Sequence, residues 1–223
     1  GGGSLKGSSW ISLRLAIVTQ ARAGRYDRPM PVTHLLYLHG FRSSPLSAKA
    51  QKVAARVQAR NPGVTWWCPQ LPPSPRQAME GVMQGIAGWP RASMAVIGSS
   101  LGGFYATWVA QQTGCPAVLL NPAVDPARDL AAYIGEQTQF HTPEEHFFFE
   151  PAFVDELRAL DAGPLRQPQR FFAIIAKGDE VLDWREMTAR YPGARIKLLS
   201  GGDHALSDFD DHLDELFAFL GLR

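Results

Sequence analysis

Residues 94–110 read MAVIGSSLGGFYATWVA, and the order of residue types in that stretch decides the fold. Met94-Ala95-Val96-Ile97 is an apolar run suited to a buried strand, and Phe104 to Ala110 reads as a helix. Between them, Gly98-Ser99-Ser100-Leu101-Gly102 forms a G-x-S-x-G pattern. A strand, that pattern and a helix in succession form a nucleophile elbow, a sharp turn that lifts a serine hydroxyl out of a sheet. The register is fixed by the glycines: Ser100 has glycine on both sides at the required spacing, whereas Ser99 would need one at Ile97. The helix N-terminus behind the turn favours developing negative charge. Glycine and serine also mark ordinary βα turns, so the pattern gains its meaning from what surrounds it.

Outward from the elbow, strands and helices alternate from Met30 onward, the signature of a parallel sheet covered on both faces. Strands are expected at 33–38, 64–68, 94–97, 117–120, 170–176 and 195–199. A helix is expected to open at Ser44-Pro45 and run to about Arg60, stopped by Asn61-Pro62-Gly63. Others are expected over 76–87, after the elbow, and over 209–220, where Leu213, Leu216, Phe217 and Leu220 recur at helical spacing. One interval breaks the rhythm. About 125–169 is longer than a βα connection needs and holds Phe140, Phe147, Phe148, Phe149 and Phe153. It reads as a small helical cap, whose phenylalanines either form its own core or line an apolar substrate pocket above Ser100.

The chain has 223 residues, 45% hydrophobic content and a formal net charge of +1, which suits one globular α/β domain with a substantial core. No basic stripe marks a nucleic-acid surface, and no apolar run is long enough to span a bilayer. Cys68 and Cys115 have neither C-x-x-C nor zinc spacing, so a reducing compartment, and with it a cytoplasmic location, is expected. Residues 1–29 differ from the rest. They open on Gly1-Gly2-Gly3-Ser4, carry five basic side chains against one acidic, and read as a loosely packed appendage before a domain over 30–223. Arg14 interrupts the short apolar stretch Trp10 to Val18, which argues against a secretory signal.

A serine hydroxyl is a weak nucleophile until a base takes its proton, and that base needs a partner to hold its tautomer. Both are expected after the serine, acid first and histidine second, on loops at the carboxyl ends of later strands. His204 follows the last strand in Gly201-Gly202-Asp203-His204 and is the best-placed base. Asp179 follows the fifth strand and is the best-placed acid; Glu180 and Asp183 share its loop, with Glu180 expected to point away and Asp183 expected to cap the next helix. Backbone amides of Leu101, next to the nucleophile, and Phe41, after the first strand, are expected to form an oxyanion hole. His39 then shapes that loop. The sequence His141-Thr142-Pro143-Glu144-Glu145-His146 is not a zinc motif, the glycines after Gly98 form no dinucleotide fingerprint, and neither a metal nor a cofactor is read. Lys49, Lys52, Arg56 and Arg60 read as a solvated helix face, with contact to an anionic leaving group as the competing reading.

From Met30 onward these stretches resemble the YqiA-type bacterial esterases, which are small α/β-hydrolases. The resemblance is carried by Leu36-Tyr37-Leu38-His39-Gly40-Phe41, Pro69-Gln70-Leu71-Pro72-Pro73 and Ile97 to Trp108. Asn121-Pro122-Ala123-Val124, Gly178 to Asp183 and Gly201 to Ala205 continue it. Trp184, Leu206 and the insert depart from the pattern. The resemblance implies a single α/β-hydrolase domain of about six mainly parallel strands, and Ser100, Asp179 and His204 as a triad cleaving small acyl esters or thioesters through an acyl-enzyme. Acyl-CoA thioesterase or acyltransferase activity, and a catalytically silent binding protein on the same fold, are the alternatives.

Overall fold

A computed structural model describes residues 31–223; the expected appendage over 1–29 lies outside the described residues. Six strands form one sheet: β1 (His34–Leu38), β2 (Thr65–Trp67), β3 (Met94–Ser99), β4 (Ala117–Leu120), β7 (Phe171–Ala176) and β8 (Arg195–Leu199). Their order is β2-β1-β3-β4-β7-β8 and every neighbouring pair is parallel. The central strands β3, β4 and β7 are buried along their whole length, which is why they read as continuous apolar runs rather than alternating ones.

Successive side chains of each strand divide between two cores. Ala95 and Ile97 face α1 (Ala48–Arg60) and α7 (Asp210–Phe219), where Val53, Val57, Leu216 and Phe217 meet them. Met94 and Val96 face α2 (Pro75–Gly85), α3 (Leu101–Thr113) and α6 (Trp184–Arg190). The chain therefore leaves β1 toward one face and β3 toward the other. These two strands are neighbours, so a crevice opens beyond their carboxyl ends, the position where open α/β sheets bind ligands. Among the described residues no helix is long and apolar enough to cross a membrane.

Two expectations need correction. Helix α1 starts at Ala48 with Ser47 as its N-cap, not at Ser44-Pro45. The Ser44 hydroxyl instead accepts the Leu46 amide at 3.1 Å, closing a turn that delays the helix. The insert is not simply helical. Beside α4 (Pro126–Leu130) and α5 (Pro151–Ala159) it contains an antiparallel ribbon of β5 (Gly135–Thr138) and β6 (His146–Phe149). Three consecutive phenylalanines alternate across that ribbon, Phe148 exposed and Phe149 buried. The insert is fastened to the main body by Glu156 of α5, which accepts from the Ser74 hydroxyl at 2.6 Å and the Arg76 amide at 3.1 Å, at the start of α2.

The elbow demands the two glycines its pattern supplies. A Cβ on Gly102 would stand 1.9 Å from the Leu38 carbonyl oxygen, and one on Gly98 2.0 Å from the Gly102 carbonyl oxygen. Both obstacles are backbone, so neither can swing aside. Gly102→Ala is expected to lower stability by about 3 kcal/mol or more through overpacking. Gly81→Ala, on the exposed side of α2 with nothing within 4 Å of the added carbon, is expected to raise it by about 0.5–1 kcal/mol. Urea unfolding of the two variants checks the pair.

Candidate active site

Ser100 sits between β3 and α3 with φ 55° and ψ −121°, a left-handed backbone that only strong local bonding sustains in a non-glycine residue. That bonding is present. The Ser100 amide donates to the Leu120 carbonyl at 3.0 Å, and its own carbonyl accepts from Gly103 at 2.8 Å and Ala123 at 3.0 Å. The turn is thereby tied to the end of β4 and to the segment beyond it.

His204 Nε2 lies 3.0 Å from Ser100 Oγ, and His204 Nδ1 lies 2.7 Å from Asp179 Oδ2. The Asp179 side chain is fully buried, and its other oxygen accepts the Val181 and Leu182 amides at 2.8 Å each. Three bonds to one carboxylate fix its plane. With Nδ1–H donated to Asp179, Nε2 of a neutral imidazole is left as the acceptor for the serine proton. Asp183 caps α6 through the Arg185 amide at 2.8 Å. Glu180 bonds not to the imidazole but to the backbone of the same residue, accepting the His204 amide at 3.0 Å.

The segment after β1 forms the opposite wall. A Cβ on Gly40 would stand 3.8 Å from Ser100 Oγ, so this backbone lies directly against the serine. Phe41 and Leu101 line the same cavity as Ser100 and His204. His39 holds the segment in place. Its Nε2 accepts the Leu71 amide at 3.1 Å while Nδ1 lies 3.0 Å from the Gly40 carbonyl, so both ring nitrogens are engaged. Burial lowers its pKa below the ordinary value and keeps it neutral. Cys68 and Cys115 do not compete as nucleophiles: burial raises their thiols to about 12 and about 11.

A model of the family described as "Uncharacterised protein family (UPF0227)" matches residues 34–221. The chain belongs to this family. It is the YqiA family whose motifs the sequence carries. Solved structures with the same architecture include one described as LipS and LipT, two metagenome-derived lipolytic enzymes (TM-score 0.62, 17% identity, covering 85% of this chain and 95% of that one). The esterase domain of a Rhodothermus marinus protein is another (0.60, 18%, 86% and 88%). So is alpha/beta hydrolase domain-containing protein 10 from mouse (0.58, 16%, 82% and 90%). At such identities the likeness is one of fold, and that fold is the α/β-hydrolase fold.

In this UPF0227 member a cavity of about 360 Å³ opens at Ser100 and His204. Its apolar wall comes from Ala123, Leu130, Tyr133, Phe140, Val181 and Leu182. Of the five insert phenylalanines, Phe140 alone lines it. Its ring lies 4.5 Å under the Arg42 guanidinium, and its amide donates to the Arg42 carbonyl at 2.8 Å. Phe147 and Phe149 instead pack edge-on against the Phe41 ring, at centroid distances of 6.0 and 5.3 Å, and Phe153 stands 5.5 Å from Phe149. Phe148 points outward. The aromatic cluster therefore supports the residue that carries the Phe41 amide.

Two residues play a larger part than their sequence context suggests. Lys49 is not simply a solvated group: its Nζ donates to the Ala205 carbonyl at 2.6 Å, and burial lowers its pKa. The other three follow the surface reading: Lys52 and Arg56, one turn and two turns on, pair with Asp210 and Asp214 of α7, and Arg60 is exposed. Asn121, at the end of β4 with φ 40°, is the hub of the site's backbone. Its Oδ1 accepts the Ala176 amide at 2.8 Å, and its Nδ2 donates to the Asp203 and His204 carbonyls at 3.0 and 3.3 Å. Its buried amide is the signal, since a buried Asn must be fully bonded, but burial is invisible in sequence. Asn121→Ala is expected to cost about 1–3 kcal/mol of stability by orphaning the Ala176 amide. It should also release the His204 loop, lowering kcat at least tenfold with a smaller change in KM. Urea unfolding and steady-state kinetics on a nitrophenyl ester check both halves.

Proposed function

We propose that this protein is a serine hydrolase that cleaves carboxylic esters through an acyl-enzyme. The observation that carries the reading is the unbroken chain Asp179 Oδ2–His204–Ser100 Oγ, at 2.7 and 3.0 Å, ending at the mouth of an apolar cavity. Ser100 Oγ attacks the ester carbonyl while His204 Nε2 takes its proton. Asp179 holds the imidazole tautomer and stabilises the imidazolium. The Phe41 and Leu101 amides bond the oxyanion. Collapse of the tetrahedral intermediate breaks the bond to the alcohol oxygen, which receives the proton from Nε2. Water then attacks the acyl-enzyme, with His204 again as base, and releases the acid. The acyl chain lies along Leu130, Tyr133 and Leu182. Membership of a family with this fold, and the presence of esterases among proteins that share it, support the reading.

A chain-length series of p-nitrophenyl esters tests it. The wild type should turn these esters over, and His204→Ala should lose about 10³–10⁴-fold or more in kcat, because the three groups act as a unit. Wild type without turnover on any ester, or His204→Ala retaining most of the rate, would contradict the reading. The series also separates the two roles of the apolar residues. For Leu182→Ala the loss in kcat/KM should grow with acyl length, by up to about fourfold for each methylene whose burial is lost. For Phe149→Ala, which removes a core ring, stability should fall by about 3–5 kcal/mol with an equal effect at every length.

A further inference from the structure

Two cavities meet at Ser100. The second, of about 270 Å³, shares Phe41, Phe140 and His204 with the first but lies toward Gly40, the start of α1 and the Glu180–Ala205 side. Its lining differs in functional groups. Ser43, Ser47 and Ser99 bring hydroxyls, Lys49 an ammonium and Glu180 a carboxylate. Tyr37 also reaches it from β1, where the side chain is fully buried. The Tyr37 hydroxyl lies beside those of Ser47 and Ser99 but makes no hydrogen bond of acceptable geometry. A buried hydroxyl without a partner costs free energy, and native structures keep few of them without a functional reason.

The chemistry assigns each part of an ester to one cavity. The carbonyl oxygen must reach the Leu101 amide, and Leu101 lines only the first. The leaving oxygen must take its proton from His204 Nε2, and the second cavity runs along His204, its neighbour Ala205 and Glu180. His204 borders both cavities, so it is the apolar lining of the first, suited to an acyl chain, that leaves the second for the alcohol part. Lys49 gives one N–H to the Ala205 carbonyl and keeps two donors. Glu180 gives one oxygen to the His204 amide and keeps an acceptor. The single ammonium is offset by Asp203 and Asp179, whose charges bear on Lys49, and Glu180 adds a carboxylate to the lining, so the cavity has no excess positive charge to draw a phosphate. Donors and acceptors without net charge match neutral hydroxyl groups, which do both.

We propose that the alcohol part of the substrate is a neutral polyol, so that the enzyme cleaves acyl esters of glycerol- or sugar-like alcohols in preference to simple alkyl esters or acyl-CoA. The proposal rests on the serine-hydrolase reading. The test compares kcat/KM for three butyrates: glycerol monobutyrate, ethyl butyrate and butyryl-CoA. The wild type is expected to favour the glycerol ester over the ethyl ester at least tenfold, with butyryl-CoA below the glycerol ester. Tyr37→Phe is expected to reduce the glycerol-to-ethyl ratio at least threefold, and Lys49→Met at least fivefold. The ratio is the readout because Lys49 also braces the His204 loop and its loss slows every substrate. Equal rates on the two oxygen esters, a ratio unchanged in both variants, or butyryl-CoA as the best of the three would overturn the proposal while leaving a serine hydrolase. No turnover of any of the three by the wild type would overturn both.

Discussion

The site depends on a single strained residue. Ser100 can project its hydroxyl only from a left-handed backbone, a conformation that costs of order 1–3 kcal/mol in a non-glycine residue. Everything around it serves to make that conformation the only one available. Gly98 and Gly102 let β3, α3 and the end of β1 approach to backbone contact. Leu120, at the end of the next strand, and Ala123, just beyond it, then bind the Ser100 amide and carbonyl. Because β1, β3 and β4 are adjacent and parallel, the same packing that fixes the serine also sets the Phe41 loop beside it.

Bringing His204 to that point is a longer reach. It follows β8, the edge strand, while Ser100 follows β3 near the middle. Three side chains from three other segments hold its loop by the backbone: Asn121 at the carbonyls of Asp203 and His204, Glu180 at the His204 amide, and Lys49 at the Ala205 carbonyl. Backbone bonds of this kind position the imidazole without touching it, leaving both ring nitrogens for Asp179 and Ser100. The insert plays a matching part on the other wall. Arg42 bonds the Thr138 carbonyl at 2.7 Å and its hydroxyl at 3.0 Å, while Phe147 and Phe149 buttress the Phe41 ring.

The elbow and the arrival of Asp179 and His204 beside Ser100 were legible because they depend on short-range chemistry. Glycine at two fixed positions, a strand before and a helix after leave one geometry for Ser100, and Asp179 and His204 each sit one or more residues beyond a recognisable strand. The start of α1 was not legible, because Ser44-Pro45 and Ser47 both carry start signals and a hydroxyl-to-amide bond within the turn decides between them. Phe147-Phe148-Phe149 has no hydrophobic period to read, so the ribbon was hidden and with it the fact that these rings support Phe41. Lys49 and Asn121 were given too little weight for a common reason. Their partners, Ala205 and the Asp203–His204 carbonyls, are more than 80 residues away in the chain.

The central claim is that Ser100 is an activated nucleophile. Reaction with a fluorophosphonate, followed by mass spectrometry of the intact and digested protein, measures that property without any assumption about the natural ester. One phosphonyl adduct is expected, located at Ser100, absent from Ser100→Ala and formed far more slowly in His204→Ala. An unmodified folded wild-type protein, or an adduct on any other residue, would contradict it.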